Sequence, residues 1–193
     1  MSFTEKIRIY GGNYYLSKGL ASLHRNKKLI HIDSAQSVGV LFELTDQGLY
    51  YSIQKYLQKL HERKVKVKAL GYTSDKHAIS QFLPVLSFDF FNAKQTNWFR
   101  IPKAACALDF IDTDFDVCIN LAGENVFPLK YIAALSKARL KVGSYHGEMG
   151  DAKYKELGKI YDIMMLAEDN HDQSGFLDQV HEYLTILNPG KNV

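Results

Sequence analysis

Seven side chains have the chemistry of a small-molecule site, and each lies at the end of an apolar run or soon after one. They are Asp46, Tyr72, Asn120, Glu124, Asn125, Tyr145 and His146. Amides and phenols form hydrogen bonds, and carboxylates and imidazoles also transfer protons when their pKa values are shifted. We predict a ligand-binding set of these seven residues and assign no catalytic residue.

If the set were catalytic, Asp46 or Glu124 would be the general base and His146 the acid or a ligand. Because the set is neutral to acidic at its centre, it suits a ligand with hydroxyls or a cationic group better than a bare phosphate, unless a basic residue such as Lys130 turns toward it.

The stretch VCINLAGENVFPLKYIAALSKARLKVGSYHG contains two apolar runs, each of which ends in polar residues. The break at 123–125 fits an ordinary turn from a strand into a helix, with polar groups serving the first N–H groups of that helix. A turn does not explain Asn120, because a buried amide needs hydrogen-bond partners. Nor does it explain Tyr145 and His146, so a ligand in this stretch is expected at these three residues.

Two loop clusters, HGEMGD (146–151) and EDNHD (168–172), combine carboxylates with histidines. Both follow expected strands, and their oxygen and nitrogen atoms suit a divalent ion. Clusters of this composition are also common in solvated turns, where Asp and Asn cap the next helix. We therefore predict no metal ligands.

The chain lacks the glycine-rich motifs that cradle phosphates, G-x-G-x-x-G after a strand and G-x-x-x-x-G-K-[ST]. It also lacks the G-x-S-x-G nucleophile elbow. No cofactor is predicted. Cys106 and Cys118 lie in apolar segments and are expected to be structural thiols.

Apolar periodicity predicts the elements that must position these residues. Strands are expected over 38–44, 64–72, 115–121, 140–145 and 161–167, with 87–92 a further candidate. Helices are expected from Asn13, from Asp46, and over 104–111, 127–138, 154–159 and 174–187. Strands that alternate with helices predict an α/β fold, a Rossmann-like three-layer sandwich with a mostly parallel sheet of about five strands and an amphipathic N-terminal helix.

In such sheets the carboxyl ends of the strands meet at one edge, where ligands bind. The segment 96–103, TNWFRIPK, is expected to be a loop whose aromatic residues plug the edge of the core.

The 193 residues suit one domain, with 46% apolar and 23% charged residues. The net charge of +3 is uneven, because residues 1–28 hold six Lys or Arg against one acid and so carry +5. We predict a basic N-terminal helix or arm over 1–28 and a single α/β domain over 29–193.

No apolar run is long enough to span a bilayer, and the first residues lack a secretory pattern. With only two cysteines, the expected location is the cytoplasm.

Several segments resemble a family of small uncharacterised cytosolic proteins from Bacteroidetes. They are FELTD, NWFRIPK, FDVCINLAGENVFPLKYIAALSKARLKVGSY, YDIMM and FLDQVHEYLTILN. The resemblance covers about residues 20–188 and implies a fold and a bacterial source, but no activity. The segment 115–145 is also similar in layout to the acceptor half of heptosyltransferase-like glycosyltransferases. Those enzymes need a second domain for the donor, so this resemblance implies glycan or protein binding and not sugar transfer.

Three hypotheses follow. The first is a non-catalytic binding or adaptor domain with a small-molecule or protein partner at the strand ends. The second is a small enzyme that acts on a polar or sugar-like metabolite in the same crevice. The third is contact with nucleic acid or an anionic membrane through residues 1–28, where a homodimer interface could also form.

Overall fold

The computed structural model describes residues 3–75, 87–123, 125–167 and 172–187. Within these ranges six strands form one parallel sheet. They are β1 Ser37–Glu43, β2 Lys66–Thr73, β3 Phe88–Asn92, β4 Val117–Asn120, β5 Leu140–Tyr145 and β6 Ile163–Leu166. Six α-helices accompany them: α1 Phe3–Ser22, α2 Gln47–Glu62, α3 Ala105–Asp112, α4 Phe127–Leu135, α5 Asp151–Leu157 and α6 Gln173–Ile186.

The strand order is β3-β2-β1-β4-β5-β6, and every neighbouring pair is parallel. The chain leaves β1 toward one edge, through β2 and β3, and then returns to build the other half from β4. The order therefore reverses between β1 and β4, as in doubly wound Rossmann-like folds. The predicted fold class is confirmed, with six strands instead of about five because 87–92 contributes the edge strand β3.

Two apolar layers enclose the sheet, since side chains along each strand alternate between its faces. In β1, Val40 and Phe42 pack in the layer that includes α2 and α6. Leu41 points to the opposite layer, which contains residues of α1, α3, α4 and α5. The result is the expected three-layer arrangement.

Helix α1 begins at Phe3, so the prediction that it starts at Asn13 was wrong. Gly11 and Gly12 weaken the local helix signal, because glycine is a poor helix former. Packing explains both glycines: a Cβ on Gly12 would lie 2.8 Å from the Phe127 ring and 3.0 Å from the Phe99 carbonyl oxygen. The glycines let α1 lie close to α4 and to the loop that precedes α3.

The remaining boundaries agree with the predictions to within a few residues. Asp46 is the N-cap of α2, as predicted, and its side chain accepts a hydrogen bond from the Leu49 N–H at 2.9 Å. Segment 96–102 is more ordered than a plain loop, because Thr96 and Pro102 form an antiparallel bridge. We call this segment the 96–102 hairpin.

Candidate functional site

A cleft of about 350 Å³ lies at the carboxyl ends of β1 and β2, beside the start of α4. Glu43 ends β1, Tyr72 lies near the end of β2, Ser74 directly follows that strand, and Asn125 precedes α4. The cleft therefore opens at the edge of the sheet where the strand order reverses, which is where ligands bind in open α/β sheets.

Helix α1 supplies Arg8 to this cleft. The Arg8 Nε donates a hydrogen bond of 2.5 Å to the Trp98 carbonyl oxygen in the 96–102 hairpin. To the described residues, the Arg8 side chain makes no other hydrogen bond. The N–H groups on its two terminal nitrogens are therefore available to a ligand.

The 96–102 hairpin supplies Arg100, which also lines the cleft. The Asn97 side chain shapes the hairpin, because its Oδ1 accepts hydrogen bonds from the N–H groups of Phe99 and Ile101 at 2.9 Å and 3.0 Å. Arg100 has φ +62°, a left-handed conformation that costs a non-glycine residue energy. The Arg100 guanidinium lies 3.6 Å from a Glu5 carboxylate oxygen, and both side chains are partly exposed.

Tyr72 is 9% exposed and packs against Phe91 with ring centroids 5.1 Å apart. Its hydroxyl makes no hydrogen bond to the part of the chain that the structure describes. Burial is the main cause that raises the pKa of the Tyr72 phenol. The Arg100 guanidinium opposes this increase, the Glu43 carboxylate adds to it, and the Arg8 guanidinium has a smaller opposing effect. The phenol therefore stays protonated near neutral pH and is a hydrogen-bond donor among three charged side chains.

The described lining of this cleft is more basic than the seven predicted residues. Among the described residues, the guanidiniums of Arg8 and Arg100 line it together with the carboxylate of Glu43, while Glu124, next to Asn125 in the chain, lies outside those residues. Sequence analysis did not select Arg8, Arg100 or Glu43. Arg8 lies on a helix that is distant in the chain from the strand ends, and Arg100 was assigned to a loop. The excess of basic residues in 1–28 was the available signal, but it does not indicate which arginine meets the strand ends.

The turn before α4 is formed by the backbone. The Val126 N–H donates to the Gly123 carbonyl at 3.1 Å, and the Phe127 N–H donates to the Asn125 carbonyl at 3.0 Å. Pro128 lies in the first turn and has no N–H. Asn125 thus serves the helix with its carbonyl, and the side chain of the N-cap residue Val126 makes no capping hydrogen bond.

Two of the seven predicted residues, Tyr72 and Asn125, line the cleft together. Glu124 lies outside the described residues. Asp46 is committed to capping α2, and its pKa is lowered by the Leu49 N–H and next by the Thr45 hydroxyl. Its carboxylate is therefore held ionised as a cap.

Asn120 is a packing residue at 1% exposure. Its Nδ2 donates to the Tyr161 hydroxyl at 2.7 Å, and its Oδ1 accepts from the Ala122 N–H at 3.2 Å. Tyr161 approaches closely because residue 143 is glycine, where a Cβ would lie 2.5 Å from the Tyr161 ring. The amide thus finds its partners inside the protein.

Tyr145 and His146 lie at the end of β5, and neither lines the cleft. His146 Nδ1 lies 3.0 Å from the Ala167 carbonyl oxygen, and its main-chain carbonyl accepts a hydrogen bond from Lys153 Nζ at 2.6 Å. The His146 Nε2 is buried and makes no hydrogen bond to the described residues.

The cluster HGEMGD does not bring its side chains together, since the described ranges contain no group of three potential ligands that could hold a metal ion. Most of EDNHD lies outside those ranges. No helix that the structure describes is long and apolar enough to cross a membrane.

The parallel sheet and the cleft at its point of reversal define a Rossmann-like α/β protein with a candidate ligand site. The chain belongs to a family of unknown function, DUF6913, whose profile matches residues 9–187. No curated protein matches the chain at a significant level. The resemblance to an uncharacterised family is confirmed over most of the chain, and the match carries no activity with it.

Proposed function

We propose that this protein is a non-catalytic binding domain whose small-molecule ligand occupies the cleft at the carboxyl ends of β1 and β2. The observation that carries the proposal is the cleft itself, where Tyr72, whose hydroxyl has no hydrogen-bond partner among the described residues, lines the same space as Arg8 and Arg100. The cleft lies at the sheet edge where ligands bind in open α/β sheets, and a hydroxyl without a protein partner there can donate a hydrogen bond to a ligand.

The cleft's volume of about 350 Å³ is at the lower end of the range for ligand pockets. A small metabolite therefore fits it better than a dinucleotide. The polar lining supports a ligand with several hydrogen-bonding groups, which includes the sugar-like compounds of the enzyme alternative.

A thermal-shift screen of polar metabolites tests the proposal, with a variant that fills the cleft. Ser74 lines the cleft and is exposed, so Ser74→Trp would occlude it, while Ser17→Trp on the exposed side of α1 is the matched control. A ligand at 100 times its Kd stabilises a protein by about 2.7 kcal/mol, so we expect a rise in Tm of roughly 5–10 °C.

The shift should persist in the control variant and vanish in Ser74→Trp. If no compound shifts the Tm, or Ser74→Trp responds like the unaltered protein, the cleft is not the site. Conversion of any compound to product would favour the alternative of a small enzyme over a binding domain.

A second candidate function is contact with an anionic membrane through α1. Four large apolar side chains on the outer face of α1 are 43% to 78% exposed: Phe3, Ile7, Tyr10 and Tyr14. Lys6 and Lys18 are exposed on the same helix. Aromatic residues beside lysines are typical of helices that lie at anionic membrane surfaces.

Flotation with vesicles that contain phosphatidylserine tests this candidate, with neutral phosphatidylcholine vesicles as the control. Binding should fall steeply with salt and be lost in the double variant Phe3→Ser, Tyr10→Ser. Binding to single-stranded RNA in place of vesicles, or dimer formation that depends on these residues, would instead assign the face to nucleic acid or to a second copy.

We also propose a bacterial, cytoplasmic setting. Both cysteines are unpaired, and Cys118 is buried, which supports a reducing environment. The resemblance to Bacteroidetes proteins supports the source. Fractionation of cells that express the protein tests the location.

A further inference from the structure

We infer that the ligand of the cleft carries a phosphate-class oxyanion, held by Arg8 and Arg100 with the Tyr72 hydroxyl as a third donor. This inference rests on the proposed function and names the chemistry of its ligand. The two arginines come from α1 and from the 96–102 hairpin, and both line the space at the end of β2.

The chemistry of guanidinium favours this ligand. Each group presents several N–H donors in one plane and pairs with phosphate or carboxylate oxygens through charge-assisted hydrogen bonds. One hydrogen bond, from Arg8 Nε to the Trp98 carbonyl, ties α1 to the 96–102 hairpin. That contact orients Arg8 and leaves its terminal nitrogens for the ligand.

Arg100 is held in an unfavourable backbone conformation, at φ +62°. Such residues persist only where the surroundings enforce them, as the two hydrogen bonds to Asn97 Oδ1 do here. The Glu5 carboxylate, at 3.6 Å from Arg100, is beyond direct hydrogen-bonding distance. This partly exposed ion pair is weak, so an anion can compete with Glu5 for the guanidinium.

The start of α4 does not supply the anion's donors, because its first N–H groups bond to loop carbonyls and Pro128 has none. Recognition therefore depends on the two arginines. The Glu43 carboxylate also lines the cleft, and since a carboxylate accepts several hydrogen bonds, it suits a hydroxyl donor on the same ligand. A phosphate ester with hydroxyl groups therefore matches both the two arginines and Glu43 better than a simple anion does.

Calorimetric titration at constant ionic strength tests the inference with three probes: glucose 6-phosphate, glucose and inorganic phosphate. The unaltered protein should bind glucose 6-phosphate and not glucose. Arg8→Ala and Arg100→Ala should each weaken that binding roughly tenfold to hundredfold, and Tyr72→Phe roughly threefold to tenfold. Arg63→Ala is the matched control, because Arg63 pairs with Asp33 and does not line the cleft.

Two further variants distinguish a ligand contact of Arg100 from a purely structural role of this residue. Glu5→Gln removes the competing carboxylate and should strengthen glucose 6-phosphate binding roughly twofold to fivefold, which a structural role of Arg100 would not produce. Arg100→Gly relieves the left-handed backbone and should lose binding as Arg100→Ala does, although it should be the more stable of the two.

Binding of inorganic phosphate as tight as that of glucose 6-phosphate supports the inference and identifies free phosphate as the ligand. Glucose binding that is lost in Ser74→Trp but unaffected by Arg8→Ala and Arg100→Ala overturns the inference while the proposed function stands. Phosphate-ester binding that Ser74→Trp leaves intact overturns both, and so does a lack of binding by any probe or any metabolite in the screen.

Discussion

Asn120 shows how one polar residue can look like a ligand contact and be part of the core. Its amide joins the end of β4 to the Tyr161 hydroxyl and to the Ala122 N–H. Gly143 makes the approach of Tyr161 possible. The amide therefore fixes how the chain leaves β4 toward the cleft, without contacting the cleft itself.

Asn120→Ala should lower the free energy of unfolding by about 1–3 kcal/mol, because the buried Ala122 N–H loses its acceptor and the Tyr161 hydroxyl loses its donor. Urea denaturation followed by circular dichroism measures this change. The control is Asn125→Ala, at an exposed residue without a side-chain cap, which should change stability by less than about 0.5 kcal/mol. Equal effects of the two substitutions would contradict the structural role of Asn120.

At the scale of elements, the junction of α1, α4 and the 96–102 hairpin positions both arginines of the cleft. Gly12 lies at its centre, against the Phe127 ring and the Phe99 carbonyl oxygen. Phe99 also packs against Gly11, and its ring lies 5.5 Å from that of Tyr15. Trp98 is 51% exposed, so the expectation that the aromatic residues of this segment plug the core edge was wrong for Trp98.

Gly12→Ala should destabilise the protein by about 1–3 kcal/mol, although alanine is the better helix former by about 1 kcal/mol. The new Cβ would lie 3.0 Å from a main-chain oxygen that cannot rotate away. Thermal unfolding measures the effect, and Ser17→Ala, at an exposed position of the same helix, is the control. A more stable Gly12→Ala protein would mean that α1 does not pack closely in solution.

At the scale of the whole molecule, a buried lysine lies at the end of the sheet opposite the cleft. Lys141, in β5, is 1% exposed, and its Nζ donates to the Ala134 carbonyl at 2.7 Å. Burial lowers the pKa of Lys141 to about 7, with the Arg25 guanidinium next in effect. Arg25 itself is paired with Asp162 through two hydrogen bonds of 2.6 Å and 2.5 Å.

This lysine should make global stability depend on pH. Because the pKa of Lys141 is lower in the folded state, the unfolded chain binds more protons between pH 7 and about 10, and stability rises with pH. We expect the free energy of unfolding to increase by about 1 kcal/mol per pH unit from pH 7 to 8.5. Burial raises the pKa of the Cys118 thiol to about 11, so its opposing effect begins only near its ordinary value of 9.0.

Lys141→Met should remove this pH dependence and stabilise the protein at pH 6 by about 1–4 kcal/mol, since it replaces a buried cation with an apolar side chain. Denaturation at several pH values measures both effects. Lys155→Met, at an exposed residue of α5, is the control. A slope that survives in Lys141→Met would assign the pH dependence to other groups.

The fold class follows from the sequence because it depends on local patterns. Apolar runs and three- or four-residue periodicity depend on neighbours a few positions away, and they predict the strands and most helices. The Asp46 cap is equally local, since it serves an N–H three residues along the chain. The same local rules did not predict the start of α1. Gly11 and Gly12 weaken the local helix signal, and the reason for these glycines is their contact with residues that are distant in the chain.

The sequence by itself thus determined the alternating elements, the parallel Rossmann-like fold and the edge of the sheet where a ligand is expected. The tertiary structure alone decided which side chains meet there. Arg8 lies against Trp98, 90 residues further along the chain, because α1 packs across the 96–102 hairpin. Such contacts depend on strand order and helix packing, which local periodicity does not encode, and they bring to the cleft two arginines that the strand-end residues alone did not indicate.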